Sequence, residues 1–143
     1  MIDINYSLRI AYFVALDGII GCPVFYGSLP PVVSPDTYIV FRSITNTDAS
    51  TVNSSDTVTN ITVDIHTWID GQNSGLSADI LAREVFNRIY PNPQSVLTLD
   101  GAQIVNTRLV NDISQEPIRS GNRTYQDRSI TFKHFIYQVA DIS

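Results

Sequence analysis

Between residues 57 and 90 a run of strict alternation gives way, across a glycine-bearing turn, to a run at helical spacing. Ile61, Val63, Ile65 and Ile69 fall on one side of an extended chain, while Thr62, Asp64, His66 and Trp68 fall on the other. That is the period of a strand with one face in a core. After the turn at 70–75, Leu81, Val85 and Ile89 recur every fourth residue with Ala78, Ala82 and Phe86 beside them, the wide stripe of an amphipathic helix. Ser74 or Ser77 can cap its start, Asp79 suits the first turn, Arg88 suits the last, and Pro91 forbids continuation beyond Tyr90. At 1.5 Å per residue the helix is expected to span roughly 22 Å and to fold back over the strand.

The remaining pattern is read against this unit. Ile4, Leu8, Ala11, Tyr12 and Ala15 predict an N-terminal helix over 4–16, capped by Asp3 or Asn5 and ended by Gly18 and Gly21. Residues 23–27 predict a short strand with Pro23 at its start, and Pro30, Pro31 and Pro35 an extended connector. In the strand predicted over 36–44, the run Tyr38-Ile-Val-Phe-Arg42 is apolar on both sides, as in a strand covered on both faces or lying at a subunit contact. From 43 to 57, twelve of fifteen residues are Ser, Thr, Asn or Asp, which predicts a long hairpin arm or a loop mobile in the isolated monomer. Residues 96–99 and 102–113 flank Asp100-Gly101, the dipeptide of a two-residue hairpin turn. Along the second arm Val105, Thr107, Leu109 and Ile113 are expected to face one way, and Asn106, Arg108 and Asp112 the other. Residues 114–122 are expected to leave the sheet in a polar loop. In the last predicted strand, 125–142, Ile130, Phe132, His134 and Ile136 alternate with Thr131, Lys133, Phe135, Tyr137 and Val139. Both of its faces are therefore apolar in the second half.

These elements predict an α+β fold: a small antiparallel or mixed sheet with two helices packed on one face, and long polar loops. One domain over 1–143 is expected, with 43–57 and 114–124 as extended polar loops. A chain of 143 residues buries about 70% of its unfolded surface and needs no staple. The single cysteine, Cys22, excludes an internal disulfide, and its apolar neighbours predict a small buried thiol. Residues 1–6 lack the basic start and apolar run of a secretory signal, and no segment reaches the ~20 apolar residues of a membrane span. The Asn-x-Ser/Thr matches at Asn53, Asn60 and Asn122 are those chance produces in a chain rich in Asn, Ser and Thr.

Net charge is −5, which argues against a general nucleic-acid binder. Residues 1–82 hold eight Asp against two Arg, whereas 83–143 hold seven basic and six acidic residues, so the two segments are of complementary tendency between copies. No nucleophile elbow, phosphate loop, dinucleotide fingerprint or His-Glu-x-x-His helix occurs. His66 and His134 lie in predicted strands and are neighbours if those strands pair, but no cysteine pair or spaced carboxylate completes a metal set. Asp64 beside His66, or Asp127 near His134, has no nucleophile to serve, and the turn 71–75 lacks the Lys and Ser/Thr of a phosphate loop. Neither an enzyme nor any cofactor is expected. Trp68 is either a second-layer core residue under a helix or an anchor at a subunit interface. Arg119, Arg123 and Arg128 are solvated charge, contacts to an acidic neighbour, or a phosphate-facing collar.

The order of parts resembles the tail terminator, or tail completion, proteins of tailed bacteriophages, which join head to tail. The likeness rests on the N-terminal helix, the Pro-containing link, Tyr38-Ile-Val-Phe-Arg42, the polar excursion, residues 61–68, the helix opening at 75–82, residues 97–101 and the final strand from 129 to 135. It covers nearly the whole chain. The resemblance implies a non-enzymatic virion protein, assembled in the host cytoplasm, that forms a homo-oligomeric ring, hexameric or alternatively dodecameric. Such a ring caps the tail tube at the neck and meets other neck, connector or tail proteins. DNA slides through its channel without specific binding, and no membrane is involved. The alternatives are a neck or connector ring protein of a short-tailed phage, or a monomeric ligand-binding module. Candidate interface residues are the aromatic Tyr38, Phe41, Trp68, Phe135 and Tyr137, and the charged Arg42, Asp48, Asp56, Arg119, Arg123 and Arg128. Deleting residues 47–54 is expected to leave a monomer that folds, by far-UV circular dichroism and cooperative unfolding, but fails to assemble in size-exclusion chromatography. Loss of folding would refute the segment's role as an interaction arm.

Overall fold

The structure, a computed structural model, describes residues 4–17, 22–26, 37–48, 55–70, 78–91, 97–99 and 101–138. Its elements are α1 (Ile4–Leu16), β1 (Val24–Tyr26), β2 (Thr37–Asp48), β3 (Ser55–Asp70), α2 (Ala78–Ile89), β4 (Ala102–Ser114), β5 (Ile118–Ser120) and β6 (Arg123–Gln138). They build an α+β fold in which both helices cover one face of a six-stranded mixed sheet. Strand order is β1-β2-β3-β6-β4, with β5 also on β6. Among the described strands only β1 and β2 run parallel.

The long antiparallel pair β3–β6 is the sheet's spine, in register from Ser55↔Gln138 to Asp70↔Arg123. Side chains alternate across it as the sequence predicts. Thr59, Ile61, Val63, Ile65 and Thr67 on β3, and Ile130, Phe132, His134 and Ile136 on β6, are buried toward the helices. Ile39 and Phe41 of β2 continue that layer. α1 contributes Ile4, Leu8, Ala11, Tyr12 and Leu16, and α2 contributes Ala78, Leu81, Ala82, Val85 and Ile89, each set at three- and four-residue spacing. Both helix ends find partners a linear reading does not reveal. The Ala78 N–H, a donor the first turn of α2 leaves open, is accepted by Gln126 Oε1 at 3.0 Å, and Arg88 Nη1 donates to the Ala15 carbonyl at 3.0 Å. Ser74 and Ser77 lie outside the described residues.

One pair of alternatives is decided and three expectations are corrected. Of the hairpin arm and the mobile loop open for 43–57, the described residues form the arm: β2 runs to Asp48, β3 starts at Ser55, Thr47 pairs with Val58 and Asp48 with Thr57, while residues 49–54 lie outside the described ones. The segment 114–124 does not leave the sheet. Ser114 ends β4, β5 pairs with β6 across the turn at Gly121 (φ 63°), and the Gln115 N–H donates to the Asp127 carbonyl at 2.9 Å. The first arm of the expected 96–113 hairpin shrinks to one bridge, Leu99↔Ala102, beside Gly101 at φ 78°, and β4 takes β6 as its partner. Finally, register shifts at 104/106 and 109/111 break the alternation of β4. Asp112 thereby joins Thr107 and Leu109 on the helix side, and Ile113 goes to the other face with Asn106 and Arg108.

Two polar clusters tie the layers together. His134 is fully buried, with Tyr12 Oη 2.5 Å from Nε2 and Thr107 Oγ1 2.8 Å from Nδ1. A neutral imidazole donates from one nitrogen and accepts at the other, so a single uncharged ring serves hydroxyls from α1 and β4. Burial pushes its pKa down to about 4 and raises that of Tyr12, so neither ionises near neutrality. The second cluster is Arg128, whose Nε and Nη2 donate to both Asp112 oxygens at 2.8 and 2.6 Å while Nη1 donates to Asp79 at 3.0 Å. The bond to Asp112 raises the Arg128 pKa further, so the cluster stays ionic and joins α2, β6 and β4.

As pH falls, His134 takes up a proton near 6.5 in the unfolded chain, whereas in the folded one it resists to about 4. The His134 contribution is whole above pH 6.5 and declines as pH drops to 4, by about 3 kcal/mol in all. Urea unfolding between pH 7.5 and 4.5 is expected to show this loss, and His134→Phe to remove that component of the slope. Arg128→Met is expected to cost about 1–3 kcal/mol, because it breaks a bidentate, largely shielded pair. Asp79→Asn should change stability by less than about 0.5 kcal/mol, because Asp79 is 82% exposed. Denaturant midpoints at neutral pH check both.

Candidate assembly surfaces

Three surfaces stand out, beginning with the sheet face turned away from the helices. An aromatic strip crosses four strands there. Phe25 meets Tyr38 edge-on at 6.5 Å, Tyr38 stacks on His66 at 4.8 Å, His66 stacks on Tyr125 at 6.0 Å, and Tyr125 tilts onto Trp68 at 5.0 Å. The Arg123 guanidinium closes the strip 5.0 Å from the Trp68 ring. His66 Nδ1 is hydrogen-bonded to the Tyr125 hydroxyl and lies 3.6 Å from Asp127. Beside the strip, Ser129 Oγ donates to buried Asp64 at 2.5 Å. Farther along the same face, Arg108 and Lys133 are directly paired across β4 and β6, and both lie 5.7 Å from the Phe135 ring. Two like charges opposite each other oppose folding, and the aromatic face between them offsets part of that cost.

The second surface is the outward side of α1, where Tyr6, Ile10, Phe13 and Val14 are exposed. At the helical period these four lie opposite the buried set, so α1 is apolar on both its core and its solvent sides. Arg9 continues the surface to β1, with its guanidinium 5.5 Å from the Tyr6 ring and 4.6 Å from that of Tyr26. The third is the opposite end of the sheet, where β4 and β5 expose Val105, Leu109, Val110, Ile113 and Ile118. Val105 and Val110 are the residues skipped at the two register shifts. Bulges re-aim side chains at sheet edges, and here each leaves a valine at the surface.

The residues expected at interfaces are scattered among these places. Phe41 is not at a surface: it is fully buried against Tyr12 and Tyr26, because its side of β2 faces α1. Tyr38, Trp68 and Arg123 come together in the aromatic strip, and Phe135 and Tyr137 share its face at the other end of β6. Among the described residues no helix covers Trp68, since α1 and α2 lie on the other face. Arg128 is engaged within the chain. Asp48 and Arg119 are exposed, Asp56 is half-buried, and the Arg42 side chain lies outside the described ones. His66 and His134 are on paired strands but point to opposite faces. Cys22 is buried, and burial pushes its pKa up to about 11, the state of a packing thiol.

Sequence reasoning missed the α1 stripe and the β4–β5 edge. The signal for the first was present: residues 10–16 are seven consecutive apolar residues, more than a one-sided stripe can hold. Nothing in the sequence marks the bulges that expose Val105 and Val110. Among the described residues no three His, Cys, Asp or Glu side chains gather to hold a metal ion, and no helix is long and apolar enough to cross a membrane.

No protein-family model matches the chain, and no curated protein matches it in sequence. Among solved structures, the chain is similar to one in the virion of a native gene transfer agent particle. The TM-score is 0.68 at 17% identity, over 96% of this chain and 99% of that one, so the fold is shared nearly end to end.

Proposed function

We propose that this chain is a structural protein of a phage-like virion, and that it forms a ring at the neck or head-proximal end of the tail, ending the tail tube and joining it to the connector. The observation that carries the reading is the end-to-end likeness of fold to a chain of a gene transfer agent virion, with neither chain extending appreciably beyond the other. A second support is the way apolar surface is distributed. Exposed apolar side chains gather on α1 and along the β4–β5 edge, at opposite ends of the sheet, and a small monomer seldom leaves so many in water.

In this reading the protein's chemistry is assembly. The ring is a hexamer, with a dodecamer as the alternative, and its axial neighbours are other neck, connector or tail proteins. The acidic balance of the chain suits a channel through which DNA moves without sticking. In cells producing the particle, disrupting the coding region is expected to yield filled heads without tails and separate tubes of irregular length in negative-stain images, and supplying the protein in trans should restore joined particles. Heads that lack tails with no free tubes would assign the chain to the connector of a short-tailed particle. Joined particles with tails of normal length would overturn the reading.

A further inference from the structure

Resting on that reading, we propose that copies of this chain join head to tail, the outward stripe of α1 of one copy seated on the bulged β4–β5 edge of the next. The stripe comprises Tyr6, Ile10, Phe13 and Val14, continued by Tyr26 on β1. The edge is centred on Val105 and Val110, with Leu109 beside them on the helix side; Ile113 and Ile118 lie farther along β4–β5 on the outer face. These side chains are between 41% and 72% exposed.

The two surfaces cannot meet within one chain. α1 sits at the β1 end of the sheet, tied to it by Arg9 over Tyr26, while β4 is the last strand at the other end. A two-fold contact of stripe with stripe would cover one surface and leave the other in water. A heterologous contact covers both with one interface, and such contacts repeat around a ring when the rotation closes.

Area supports a second copy as the occupant. With side chains of this size offering roughly 200 Å² each, the exposed parts of the stripe and of Val105, Leu109 and Val110 together come to about 800 Å². A standard interface buries about 1,600 Å², of which somewhat over half is apolar. The two surfaces thus match the apolar share of one specific contact.

The form of the edge points to a helix as its cover. A long regular edge strand invites another strand, and bulges are a device that refuses one. β4 carries two, and each directs a valine outward. Two side chains five residues apart on such an edge present knobs to a helix, whose own rows at i, i+3 and i+4 hold Tyr6, Ile10, Phe13 and Val14.

Two variants test the contact: Ile10→Asp with Val14→Asp on the helix, and Val105→Asp with Val110→Asp on the edge. All four positions are exposed, so both proteins should keep the wild-type far-UV spectrum and unfolding midpoint. Each is expected to sediment as a monomer at concentrations where the wild type assembles. Mixed in equal amounts they should give a 1:1 heterodimer that grows no further, because only one intact stripe and one intact edge are present. A mixture that stays monomeric, or an edge variant that assembles like the wild type, overturns the contact and leaves the ring reading standing. A wild type that is monomeric at every concentration, alone and in particles, overturns both. Vesicles of phosphatidylcholine and phosphatidylglycerol provide the last arm: wild-type binding lost in the helix variant, with self-assembly untouched, would assign the stripe to a lipid surface and refute the proposal.

Discussion

The orientation of α1, and with it much of the molecular surface, depends on the buried imidazole of His134. A ring sealed from water must have both nitrogens satisfied, and here one partner comes from a helix and the other from an edge strand. Few placements of α1, β6 and β4 meet that demand. Rotating α1 about its axis by a quarter turn would take the Tyr12 hydroxyl out of reach, and slipping β6 by one residue would carry His134 to the other face of the sheet. Either error leaves a polar group unpaired among Phe41, Phe132 and Leu8, at a cost of about 1–3 kcal/mol. The apolar contacts drive collapse but tolerate small rotations. The hydrogen-bonded ring does not, and so it fixes which side of α1 faces outward.

What was legible in the sequence is what periodicity encodes. The bounds of α1, the inward faces of β3 and β6, and the helix laid over them follow from spacings of two and of three to four, which burial imposes directly. Pairing partners are another matter. Asp100-Gly101 signals a turn, yet the strand that follows pairs with β6 beyond a single bridge, since long-range registry outweighs a local turn preference. Polar composition misled in the same way at 114–124, and at 43–57 it left a hairpin arm and a mobile loop both open, where the described residues form the arm. A strand at the end of a hairpin, or beside an edge, is ordered by backbone hydrogen bonds and needs no apolar side chains, so its sequence looks like a loop. The aromatic residues expected to reach a neighbour proved hard to place because stacking is satisfied equally well within the chain. Trp68 meets Tyr125 and Arg123 there, and Phe41 packs on Tyr12.

That contrast separates the sheet's outer face from its two ends. On the outer face Tyr38, His66, Tyr125, Trp68 and Arg123 form a continuous chain of ring contacts, which stiffens the layer turned away from α1 and α2. Two of its polar pairs are closed as well, His66 with Tyr125 and Ser129 with Asp64. At the ends the chain does the reverse. α1 carries apolar side chains on the side its own fold does not cover, and β4 departs from regular pairing twice, each time leaving a valine at the surface. These features return nothing to the core of the chain's own fold, and on them rests the proposed head-to-tail contact.

The same division accounts for a fold shared over nearly the full length of two chains at 17% identity. A core specified by binary pattern accepts many apolar combinations at similar volume, so the β3–β6 layer and its helices can be kept while most residues change. Side chains outside that pattern are freer still, since they need only keep the fold soluble and paired. Architecture is therefore kept where sequence signature is lost, which is the combination this chain presents: an end-to-end match in structure and no family model that matches in sequence.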